Sequence, residues 1–113
     1  RNLVKTYRER SLVLKNALTR YAPELQFTPA KGGSALCVTG PDGLDTKLLA
    51  ADLYRAGVVI EPGTYFYPRR RGVCASMRVG YSSIPVSQIE PGVQLFAKHL
   101  SRLTQHNQKQ AEA

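Results

Sequence analysis

The sequence predicts an α+β domain, a small sheet of three to four strands packed by helices. Three observations carry that expectation. Apolar residues recur at helical spacing near both ends of the chain. Short apolar or alternating runs of strand length lie between them. Glycine and proline separate those runs. The resulting order is helix, weak strand, strand, helix, strand, strand, helix.

Residues 2–21 read as an amphipathic helix. Val4, Ser11 and Leu18 recur every seven residues, as do Tyr7, Leu14 and Tyr21, and Leu3 and Ala17 widen the stripe. Pro23 ends it, because the residue before a proline avoids helical angles. Leu25 to Thr28 suits a short strand. Pro29 to Gly33 makes a turn whose paired glycines permit positive φ. Ser34 to Thr39 reads as a strand buried on both sides near its middle, and Gly40-Pro41-Asp42-Gly43 is a strong turn.

Asp45 or Thr46 starts a second helix that runs to about Ala56. Its apolar stripe is Leu48, Leu49, Ala51, Leu53 and Ala56, and Gly57 closes it. Val58-Val59-Ile60 reads as a short strand broken by Glu61-Pro62-Gly63-Thr64. A last helix is expected from Val86 or Ser87 to Leu103, with Ile89, Val93, Phe96, Leu100 and Leu103 as its stripe. Ser87 and Glu90 have capping-box spacing, and Pro91 falls in the first turn, where its missing N–H is tolerated. Residues 1–103 form the expected domain and 104–113 a polar, frayed tail.

A length of 113 residues with 42% hydrophobic content supports one domain with a real core. The chain begins at Arg1, directly before a helix, as expected of a piece of a longer protein. No run approaches a membrane span. Cys37 and Cys74 lie in or beside apolar runs without CxxC spacing, which favours buried, reduced thiols over a zinc site. A disulfide between neighbouring strands stays open. No Ser/His/Asp set, carboxylate pair or activated cysteine forms a catalytic constellation.

The formal charge of +8, from 16 Lys+Arg against 8 Asp+Glu, raises a nucleic-acid interface as one reading. In that reading Arg69, Arg70, Arg71 and the first helix touch phosphates. The cations are spread, however, and no aromatic residues interleave with a basic strand. A solvated helix face accounts for most of them.

Ala75 to Ser82 alternates. Ala75, Met77, Val79 and Tyr81 point to one face, and Ser76, Arg78, Gly80 and Ser82 to the other. The second face thus presents one long cation among small residues. A guanidinium so held can grip a carboxylate with two parallel hydrogen bonds. It can equally be a surface arginine on the wet side of a sheet.

Four stretches carry a resemblance. They are Lys31-Gly32-Gly33 before a strand, Gly57-Val58-Val59-Ile60-Glu61-Pro62-Gly63, Met77-Arg78-Val79-Gly80-Tyr81-Ser82-Ser83-Ile84-Pro85, and Ile89-Glu90-Pro91-Gly92-Val93 in a helix. In order and spacing they resemble the C-terminal small domain of fold-type I (class I/II) pyridoxal-phosphate aminotransferases. They look closest to the aminotransferase-like half of MocR-type regulators of the GntR family. The resemblance covers about residues 1–103.

The resemblance implies that Arg78 binds the α-carboxylate of an amino-acid substrate or effector. It implies that Gly33 lines the cleft and that Tyr65 and Phe66 border its entrance. Pyridoxal 5'-phosphate would belong to the parent protein, with its cofactor lysine, its acidic partner and its phosphate cradle in a large domain outside this chain. No lysine here matches that lysine, so the segment alone is expected neither to hold the cofactor nor to transaminate. The parent would be a cytoplasmic homodimer. It would be either an effector-sensing regulator, touching DNA only through an upstream winged helix, or a genuine aminotransferase.

Overall fold

The computed structural model describes residues 3–30, 32–63, 74–81 and 84–112. Three helices and four strands follow the expected order: α1 (Leu3–Tyr21), β1 (Gln26–Pro29), β2 (Ala35–Thr39), α2 (Thr46–Arg55), β3 (Glu61–Pro62), β4 (Ser76–Gly80) and α3 (Val86–Glu112). The strands form one antiparallel sheet in the order β1-β2-β4-β3. The strand carrying Arg78 is therefore internal to the sheet.

Leu36, Val38 and Met77 from the sheet meet Leu14, Ala17 and Leu18 of α1, Leu49 and Leu53 of α2, and Ile89, Val93, Phe96 and Leu100 of α3 in one core. The α3 stripe is the one its spacing predicts. The α1 stripe is confirmed where side chains are described, with Tyr7 and Tyr21 half-buried at its margins.

Several expectations need correction. β2 is not buried on both sides at its middle: Ala35, Leu36 and Val38 are buried, while Cys37 and Thr39 are exposed. Cys37 is thus an exposed free thiol, and only Cys74 is buried. The paired register explains why, since alternate residues of β2 face opposite sides of the sheet. In α2 the buried residues are Thr46, Leu49 and Leu53, and Leu48 is 58% exposed. A ten-residue helix lying on one side can bury only one stripe, and Leu48 falls outside it. Val58 to Ile60 is not a strand; pairing starts at Glu61, with Ile60 buried and Val59 exposed.

The capping box is also absent. α3 already includes Ser87, and the Glu90 carboxylate turns to α1, where Oε1 accepts from the Tyr21 hydroxyl at 2.7 Å. Pro91 lies beyond the first turn of α3 and removes the donor that the Ser87 carbonyl would use. Ser87 is exposed, so water can replace it. α3 continues past Leu103 to Glu112, so the polar tail begins as helix.

At α2 the start is fixed twice. Asp45 caps it, accepting from the backbone N–H of Lys47 at 3.0 Å. The buried Thr46 donates both its hydroxyl (2.7 Å) and its N–H (3.0 Å) to the Cys74 carbonyl. This joins α2 to the approach of β4. Gly63 is pressed against the same approach: a Cβ there would sit 2.5 Å from the Ser76 carbonyl oxygen.

Candidate functional site

The helices cover one face of the sheet and leave the other open. Register places one residue from each strand in a row across the open face: Thr28 opposite Cys37, Cys37 opposite Arg78, and Arg78 opposite Glu61. Thr28, Cys37 and Glu61 are exposed and Arg78 is half-buried. Gln26, Thr39 and Ser76 form a second row beside the first. Thr28, Cys37, Thr39, Gly63, Ser76 and Arg78 line a shallow hollow of about 460 Å³.

Among the described residues, the Arg78 side chain takes part in no hydrogen bond or ion pair. Its neighbours on the row are small or polar apart from Glu61, so its planar donors meet little steric obstruction. Arg78 also lines a second concavity of about 640 Å³ toward Ile60, Val79, Tyr81 and Ile84. Arg78 therefore borders both hollows. Its place on an internal strand fixes the backbone beneath it on both sides, through Cys37 and Glu61.

Tyr81 closes the same strand onto the glycine turn. Its N–H donates to the Ser34 carbonyl at 3.0 Å and its hydroxyl donates to the Gly33 carbonyl. Gly33 has φ of +67° and is exposed. Register does not bring it beside Arg78: it lies in the turn before β2, four residues ahead of Cys37, the partner of Arg78. Tyr65 and Phe66, like Arg69 to Arg71, lie outside the described residues.

Two residues of the row were not legible as site residues. Cys37 was hidden by an apolar reading of β2, although strict alternation with Leu36 and Val38 was a usable signal. Glu61 read only as a strand breaker beside Pro62, and nothing short of the register shows that it faces Arg78.

Elsewhere the polar groups hold elements together. His99 Nδ1 lies 2.9 Å from Asp52 Oδ2 and links α3 to α2. Gln94 donates to the Tyr21 hydroxyl at 2.8 Å. Among the described residues no group of three His, Cys, Asp or Glu could hold a metal ion, and no helix is long and apolar enough to cross a membrane.

Comparison with known proteins places this geometry. No protein-family model matches the sequence. The crystal structure of a multiple substrate aminotransferase from Thermococcus profundus superposes with a TM-score of 0.81 at 29% identity, over 91% of this chain and 26% of that one. The chain has the aminotransferase small-domain fold. The aminotransferase-like domain is also similar to LysN, an α-aminoadipate aminotransferase from Thermus thermophilus, with a TM-score of 0.78 at 27% identity, over 88% of this chain and 26% of that one.

Curated relatives point the same way. Aromatic-amino-acid aminotransferase 1 of Thermococcus litoralis is 29% identical over 97 residues, which is 85% of this chain and 23% of the relative. The HTH-type transcriptional regulator TauR of Rhodobacter capsulatus is 33% identical over 94 residues, 83% of this chain and 19% of the relative. The domain thus spans about a fifth to a quarter of the length of the curated relatives it matches.

The LysN structure holds N-(5'-phosphopyridoxyl)-L-leucine, and the aminotransferase relatives imply pyridoxal phosphate for their own family. Lys5, Lys15, Lys47 and Lys98 stand on the helices, and the rows of the open face carry no amine among the described residues.

Proposed function

We propose that this domain is the carboxylate-binding part of a pyridoxal-phosphate protein, with Arg78 as the residue that takes the α-carboxylate of an amino-acid ligand. One observation carries the reading. A half-buried guanidinium on an internal strand faces an open hollow with no ion pair among the described residues.

A carboxylate arriving there gains a charge-assisted, bidentate pair. The sheet has already fixed the arginine backbone, so less ordering remains to be done on binding. The ligand is held at one end and its amino end is directed away from the sheet, toward whatever closes the cleft. When bound in the complete protein, the cofactor supplies the electron sink for chemistry at that amino group. The residues of this chain bind and orient.

Of the two parents, the regulator is favoured by the identity to TauR, an HTH-type transcriptional regulator. In that setting the domain senses an effector of the amino-acid or amine-acid class. DNA is contacted through a separate winged helix, and the protein works as a cytoplasmic homodimer. In an aminotransferase the same arginine would orient a substrate. Sequence upstream of residue 1 separates the two: a winged-helix module identifies the regulator.

The test is ligand affinity in the complete protein containing this domain. Arg78→Ala is expected to weaken binding of a carboxylate-bearing ligand by about 2–3 kcal/mol, as for loss of a hydrogen bond to a charged group. Arg78→Lys should recover only part of it, because the ammonium lacks the fork. Affinity unchanged in both variants rejects the role.

A further inference from the structure

We infer that Glu61 is a specificity-determining residue, which sets Arg78 to prefer carboxylates without a second acidic group and to favour those that carry a cation. This inference rests on the carboxylate-binding reading of Arg78 and goes beyond it.

Glu61 and Arg78 are direct partners across the β3–β4 pair, so their side chains leave the same face of the sheet side by side. Glu61 is exposed, and no ion pair ties it to Arg78 or to any other described residue. It is the one acidic residue in the rows of the open face among the described residues. A ligand whose carboxylate sits on Arg78 is therefore bound beside a carboxylate on the neighbouring strand. The neighbours on the other side, Cys37 and Thr28, carry no carboxylate and supply nothing comparable.

The effect has a size. A unit charge about 6 Å away, at effective dielectric constants of roughly 40 to 80, changes binding by about three- to tenfold. The sign depends on the ligand's second group. A second carboxylate is disfavoured, and an ammonium is favoured. An exposed charge is screened by salt, so the selectivity should fade at high ionic strength.

The experiment uses the 113-residue chain labelled with nitrogen-15. The backbone amide resonances of Cys37 and Val79, beside Arg78 on the sheet, are followed during titration with acetate, succinate and β-alanine at low ionic strength. Overall positive charge attracts succinate in every variant, so the quantity read is the β-alanine to succinate affinity ratio. Glu61→Gln is expected to lower that ratio by about threefold or more, and Glu61→Asp to retain most of it. A ratio unchanged by Glu61→Gln, with Arg78→Gln abolishing the titration, overturns the role of Glu61 and leaves that of Arg78 standing. An acetate titration unaltered by Arg78→Gln removes the carboxylate site itself, and the selectivity falls with it.

Discussion

Arg78 and Cys37 are cross-strand neighbours with different histories in the sequence. The alternation from Ala75 to Ser82 announces which face Arg78 takes, because small residues at Ser76 and Gly80 contrast with Met77 and Val79. Cys37 sits in a run whose side chains are nearly all apolar, so composition argues for burial while register exposes it. The two cysteines therefore differ in a measurable way. A maleimide should label Cys37 in the folded protein, and Cys74, at 1% exposure, only after unfolding. Mass spectrometry of the native and denatured chain checks this; equal labelling of both thiols would contradict the sheet register. At the other extreme, Leu36 is fully buried on the opposite face. Leu36→Ala should cost about 2–5 kcal/mol of unfolding free energy, read by denaturant titration.

Among the elements, helices were more legible than strands. The stripes of α1 and α3 extend over many turns, and periodicity summed over such lengths is a strong signal. β3 is a pair of residues whose existence depends on β4 beside it, and no local pattern encodes that dependence. The C-terminal stretch was misread for a related reason: it lacks apolar residues, yet it follows a packed helix that already supplies the nucleus, so propagation is inexpensive. Local chemistry did identify the start of α2. Asp45→Ala should lower stability by about 1 kcal/mol through loss of the cap. Thr46→Val should cost about 1–2 kcal/mol, because the hydroxyl bond to Cys74 is buried. The double variant should depart from additivity, since the two residues are consecutive at the same helix start.

For the molecule as a whole, the core among the described residues reaches Leu100 and Leu103 on α3, and residues 104 and 105 beyond them add no buried side chain. Removing residues 106–113 is expected to shift the thermal midpoint by no more than about 2 °C and to leave Arg78 titrations unchanged. Calorimetry of the shortened chain measures the first, and a larger shift would show that the distal helix packs somewhere. The fold class was legible because the order of elements admits few layered arrangements. The open-face row was not, because it draws one residue from each of four strands, and only the completed pairing brings Thr28, Cys37, Arg78 and Glu61 together.

That row makes the protein sensitive to parity. Inserting one residue into β4 ahead of Met77 would rotate the arginine inward among leucines and turn a core methionine outward, whereas inserting two would restore the facing and merely displace the partners along the ladder. Length changes in this strand should therefore be tolerated, if at all, in even steps.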